Sequence, residues 1–170
     1  IDAAIAAGFE KVKLNTVIMR GYNEDEVIGL AEYALERAID IAFIEEMPLG
    51  EASDHAREET TCSNAWVRDT LEQRFELADS EVKTAGPSRY VDVKGYESRI
   101  GFISPVTHNF CGDCNRVRVT VEGRLLLCLG NEHSMDLRAI LRAEDFDEFR
   151  LREAIVAAMD LKPERHYFYE

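Results

Sequence analysis

The chain has 170 residues, 46% of them hydrophobic, which suits a core-forming globular protein and excludes a disordered tail. A formal net charge of -13, from 33 acidic and 20 basic residues, excludes broad electrostatic adhesion to nucleic acid or an anionic membrane, because phosphate recognition needs a basic face. No run approaches the roughly 20 apolar residues that span a bilayer, and the opening "IDAAIAAGFEKVKLN" has neither a charged n-region nor a cleavage site, so a cytoplasmic protein is expected.

Ile1 to Gly8 reads as the last turns of a helix with Gly8 as its stop, which suggests a piece of something longer. "KVKLNTVIM" (Lys11 to Met19) is β-branched and apolar and predicts a buried strand. Asn23 is placed to cap a helix over "EDEVIGLAEYALERA", whose Val27, Leu30, Ala31, Ala34, Leu35 and Ala38 recur at helical spacing. "DIAFIEEM" (Asp40 to Met47) predicts a second strand, closed by Pro48 and Gly50. Strand, helix and strand in this order form a βαβ unit, hence a parallel sheet or barrel with its active end at the C-terminal strand edges, where Met47 falls.

"GEASDHAREETTCSN" is a polar connection, and Ser63 or Asn64 can cap a helix through "AWVRDTLEQRF". Short strands follow in "RYVDVKG", "RIGFISPVT" and "RVRVTVEGRLLLCL", the last with a hairpin signal at "VEGR". Two helices close the chain, "SMDLRAILRA", capped by Ser134, and "FDEFRLREAIVAAMD". The expected fold class is therefore α/β in residues 1–60, followed by α+β in residues 61–170.

Three of the four cysteines, Cys111, Cys114 and Cys128, stand at C-x2-C-x13-C spacing. Gly112 and Asp113 permit a tight turn that faces the first two thiols inward, and the hairpin folds Cys128 back towards them. Three readings fit: a Cys3His zinc site completed by His108 or His133, a cysteine pair with Cys128 merely buried, or an iron–sulfur cluster one ligand short and so open to substrate. Cys62 has no such neighbours and reads as incidental. In "NRVRV", Arg116 and Arg118 would share a strand face, a pairing suited to phosphate or carboxylate oxygens or simply to solvent.

"KLNTVIMRGYNEDE", "FIEEMPLG", "GPSRY", "GFISPVTHNFCGDCNRVRVTVEGRLLLCL" and "DLRAILR" in this order resemble the C-terminal half of the molybdenum cofactor biosynthesis protein A family, the radical-SAM GTP 3′,8-cyclases. The resemblance implies part of an incomplete (β/α) barrel in residues 1–60, then an auxiliary domain in 61–170 that stops before the family's diglycine tail. It implies a [4Fe-4S] cluster on Cys111, Cys114 and Cys128 with its open iron towards guanine, GTP contacts from Lys13, Arg116, Val117 and Arg118, and approach of Met47 to S-adenosylmethionine. A second [4Fe-4S] cluster, on a C-x3-C-x2-C loop in the N-terminal half, would generate the radical that abstracts the GTP 3′ hydrogen.

The 170 residues contain no C-x3-C-x2-C, so the resemblance implies a partner in the missing N-terminal half, no turnover without it, and a possible homodimer. Ala42 stands where many members carry arginine. A stand-alone zinc or cluster module, and the auxiliary half of a peptide-modifying radical enzyme, are the competing readings.

Overall fold

The computed structural model describes residues 1–47, 57–130 and 133–165. They fall into two compact units, Ile1–Phe110 and Cys111–Glu170. The Pro48 and Gly50 stop, and much of the polar connection after it, lie outside the described residues.

The first unit is mixed α/β. After the short helix α1 (Asp2–Ala6) come β1 (Lys13–Val17), a 3-10 turn at Glu24–Glu26, α2 (Val27–Glu36) and β2 (Asp40–Ile44). Then follow α3 (Arg57–Thr60), α4 (Asn64–Glu72), β3 (Leu77–Asp79), β4 (Arg89–Val93) and β5 (Arg99–Ile103). The strands form one sheet in the order β1-β2-β5-β4-β3, parallel from β1 to β5 and antiparallel from β5 to β3. The expected βαβ unit is thus present, and β3 is an element the sequence reading did not contain.

One face of this sheet is the core. Leu14, Ile41, Phe43, Ile100, Phe102 and Val91 meet Val27, Ala31 and Leu35 of α2 and Val67 and Leu71 of α4. The period of two along strands and of about 3.6 along helices puts those residues on matching faces. Because β2 pairs with β5, residues 61–110 share this core with residues 1–60, and the two compact units part between Phe110 and Cys111.

Two caps differ from expectation. Asn23 ties down the turn before α2 instead of capping the helix: its Oδ1 accepts from Met19 N at 2.8 Å and its Nδ2 donates to Val17 O at 3.0 Å. At the far end of α2, Ile39 N donates to Ala34 O and Ala38 N to Leu35 O, both at 3.1 Å. That double closure leaves Ala38 left-handed at φ 54°, where glycine is the usual choice.

The second unit opens with a 3-10 turn at Cys111–Asp113. A small antiparallel sheet follows, β6 (Arg118–Val119), β7 (Arg124–Leu126) and β8 (Ser134–Asp136), and then α5 (Leu137–Leu141) and α6 (Glu148–Asp160). The hairpin forms where "VEGR" predicted it, with Thr120 N donating to Arg124 O at 2.8 Å and Gly123 at φ 79°. Ser134, expected to cap a helix, instead pairs with Leu126 in β8, and Asp136 takes the capping role by accepting from Ala139 N at 2.9 Å. The core is small: Leu125, Leu127, Leu137 and Ala158.

Candidate functional site

The cysteine turn is built as its spacing required. Cys114 N donates to Cys111 O at 3.0 Å, closing one 3-10 turn with Gly112 and Asp113 exposed. Cys111, Cys114 and Cys128 are of intermediate exposure and form no disulfide. Cys128 lies just beyond β7, out of step with the buried Leu125 and Leu127, so it is not a core residue. Lys162, past the end of α6, links two parts of this region: its Nζ donates to Leu127 O at 3.0 Å and reaches Cys114 Sγ at 3.9 Å.

Among the described residues, no group of three His, Cys, Asp or Glu side chains is gathered closely enough to hold a metal ion. The donor chemistry nonetheless suits a thiophilic centre, since all three thiols are outside any disulfide, partly exposed and within one compact unit. Cys62 is different. It is 2% exposed, and burial pushes its thiol up, as expected for a packing residue.

Arg116, Val117 and Arg118 are exposed, but the strand expected to align the two arginines is shorter than "NRVRV": β6 begins at Arg118, and Arg116 and Val117 precede it. Period-two alternation therefore does not itself put the guanidinium groups side by side.

In the first unit, Lys13 opens β1, in register with Asp40 at the start of β2, whereas Met47 lies half-buried beyond the end of β2. The two belong to opposite ends of the parallel strands. Lys13 Nζ donates to Tyr90 Oη at 2.8 Å. The ammonium is 5.0 Å from the ring centroid, much nearer the hydroxyl than the ring, so hydrogen bonding outweighs any cation–π attraction. Burial raises the Tyr90 phenol, but hydrogen bonding, that of Lys13 foremost, and the Lys13 charge together bring it below its ordinary value.

A second group was not anticipated from the sequence. Glu45, 1% exposed, directly follows β2 with every carboxylate contact a donor: Asn64 N at 3.0 Å and Thr107 Oγ1 to Oε1, Val106 N at 3.3 Å and Thr107 N at 3.0 Å to Oε2. Asn64 Nδ2 donates in turn to Ile103 O at 2.9 Å and Ser104 Oγ at 2.8 Å. The only available sequence signal was an acidic pair after an apolar strand, and such pairs usually face solvent.

A family profile described as Molybdenum Cofactor Synthesis C matches residues 39–168. The chain is 57% identical to a GTP 3′,8-cyclase of Ectopseudomonas mendocina (strain ymp) and 56% identical to one of Marinobacter nauticus, over 168 residues in each case. It is 55% identical to GTP 3′,8-cyclase 2 of Pseudomonas aeruginosa. Each match takes in 99% of this chain and 51% of the relative, so the chain spans about half the length of these proteins. With the profile running from β2 through α6, across the cysteine turn and the hairpin, the chain belongs to the molybdenum cofactor synthesis C family.

Proposed function

We propose that this chain is the substrate-holding half of a GTP 3′,8-cyclase, which converts GTP to 3′,8-cyclo-7,8-dihydroguanosine 5′-triphosphate by S-adenosylmethionine radical chemistry in molybdenum cofactor synthesis. The observation that carries the reading is 57% identity to a protein of that name over 99% of the chain, a span that includes both compact units. In this reading the parallel strands β1, β2 and β5 are part of an incomplete (β/α) barrel that the N-terminal half of the same protein extends.

Cys111, Cys114 and Cys128, all in the second unit, are the residues that would hold a [4Fe-4S] cluster. When bound, a cluster with three thiolate ligands supplies an iron with an open coordination position for a donor atom of guanine. Lys162 is placed to donate an N–H to the Cys114 sulfur and offset part of the thiolate charge. GTP contacts are assigned to Lys13 and, in the second unit, to Arg116, Val117 and Arg118, with the cations on phosphate oxygens. Holding base and triphosphate separately fixes the ribose, which is the orientation term of catalysis. Met47 is assigned to the S-adenosylmethionine side. No described helix is long and apolar enough to cross a membrane, and a cytoplasmic enzyme, homodimeric in its full form, fits the proposed role.

Turnover is assigned to the whole protein, since the radical-generating C-x3-C-x2-C is not among these 170 residues. The full-length protein, reduced anaerobically with S-adenosylmethionine and GTP, is expected to release an isomer of GTP with a new bond from ribose C3′ to base C8. These 170 residues alone should release none. Unchanged GTP from the full-length protein, or turnover by these residues alone, contradicts the assignment.

A further inference from the structure

Lys13 and Tyr90 come from strands separated by two others, since the sheet order puts β2 and β5 between β1 and β4. They meet because the row between them is nearly bare. Asn15 is in register with Ala42, Ala42 with Gly101, and Gly101 with Tyr90, so these four share a face of the sheet, and Lys13 shares it two residues before Asn15. Of the residues in that row, Ala42 contributes only a methyl group and Gly101 no side chain. A Cβ on Gly101 would stand 2.2 Å from Ser88 Oγ, 3.2 Å from the Tyr90 ring and 3.4 Å from Ala42 Cβ, so glycine leaves room there for the Ser88 hydroxyl beside the Tyr90 ring.

The partner is unusual for a lysine in so acidic a chain. Asp40, in register beside it, has Oδ1 turned to the Arg99 amide at 2.8 Å, and among the described residues Lys13 has no carboxylate within ion-pair distance. A phenol accepts one hydrogen bond from the ammonium without neutralising it. Two N–H donors and the full positive charge remain for an anion. Tyr90 is itself fixed, with 7% exposure.

We infer that Tyr90 is a positioning residue of the nucleotide site, its hydroxyl holding the Lys13 ammonium across Ala42 and Gly101 for a phosphate group of GTP. The inference rests on the reading of Lys13 as a triphosphate contact. A mobile lysine loses rotamer freedom on binding, and a pre-placed one has less left to lose.

The test is a double-mutant cycle in the full-length enzyme, reading affinity for GTP and for guanosine, which lacks the phosphates. Tyr90→Phe keeps the buried ring and removes only the hydroxyl. It should weaken GTP binding roughly fivefold to tenfold, leave guanosine binding unchanged, and add nothing in a Lys13→Met background. Wild-type or tighter GTP affinity in Tyr90→Phe overturns the inference, as does equal loss for guanosine or a full additional loss on top of Lys13→Met. If Lys13→Met itself binds GTP like wild type, the underlying assignment of Lys13 fails instead.

Discussion

The amide of Asn64, first residue of α4, donates to Glu45 Oε1 at 3.0 Å, so a buried carboxylate sits at the N-terminal end of a helix rather than beside a cation. The helix end supplies both a free N–H and the positive end of its dipole. With the amides of Val106 and Thr107 on the other oxygen, one side chain joins the end of β2, the start of α4 and the loop after β5.

Glu45→Gln is nearly isosteric, yet it should destabilise the first unit by about 2 kcal/mol, because an NH2 in either orientation faces at least one backbone N–H that now has an acceptor. Urea unfolding of the chain reads this directly. A midpoint equal to wild type would mean that the donors find other acceptors.

Ala38 predicts an effect of the opposite sign. It holds φ 54° at the closing position of α2, where its Cβ is strained and glycine is not. Ala38→Gly is therefore expected to raise stability by about 1 kcal/mol, although glycine elsewhere in a helix is unfavourable. A lower unfolding midpoint contradicts this account of the helix stop.

Gly101→Ala should cost about 1–3 kcal/mol, since its methyl group falls on the Ser88 hydroxyl. Ser88 Oγ is buried without a hydrogen-bond partner, so adding Ser88→Ala should recover much of the loss at little cost of its own. Equal stability of the single and double variants in denaturant would show that Ser88 is not the obstacle.

Asp2 gives a pH signature. Its Oδ1 accepts from Arg37 Nε and Tyr33 Oη, both at 2.9 Å, and the Arg37 hydrogen bond, followed by that of Tyr33, holds the carboxyl below its ordinary value. A lowered carboxyl stabilises the fold fully above the ordinary carboxylate range and loses that contribution as pH falls through the lowered value. The group is exposed, so the effect on stability is small and salt-sensitive. An NMR titration of Asp2 should show a low midpoint that moves up in Arg37→Met. A midpoint indifferent to Arg37 rules out the ion pair in solution.

What was legible in the sequence was local. The β1-α2-β2 unit, the cap by Ser63, which accepts from Trp66 N at 3.2 Å, and the Gly123 turn all follow from spacing and turn chemistry within a few residues. Ser134 was misread because its own neighbourhood looks like a helix start, whereas pairing with β7 decides its conformation. Lys13–Tyr90 and Glu45–Thr107 were not legible, since sequence separations of 77 and 62 residues are bridged only by the sheet order. For the candidate cluster, the three cysteines were legible as candidate ligands from their spacing, whereas Lys162 was not, since no spacing rule connects it to Cys114.

The central claim is that Cys111, Cys114 and Cys128 hold a [4Fe-4S] cluster whose open iron meets guanine, and anaerobic iron–sulfide reconstitution of the 170-residue chain tests it most directly. The account predicts a paramagnetic spectrum of the reduced cluster that shifts with GTP, does not shift with ATP, and disappears in Cys128→Ser. Bound zinc in place of iron, a spectrum indifferent to GTP, or an intact cluster in Cys128→Ser would contradict it.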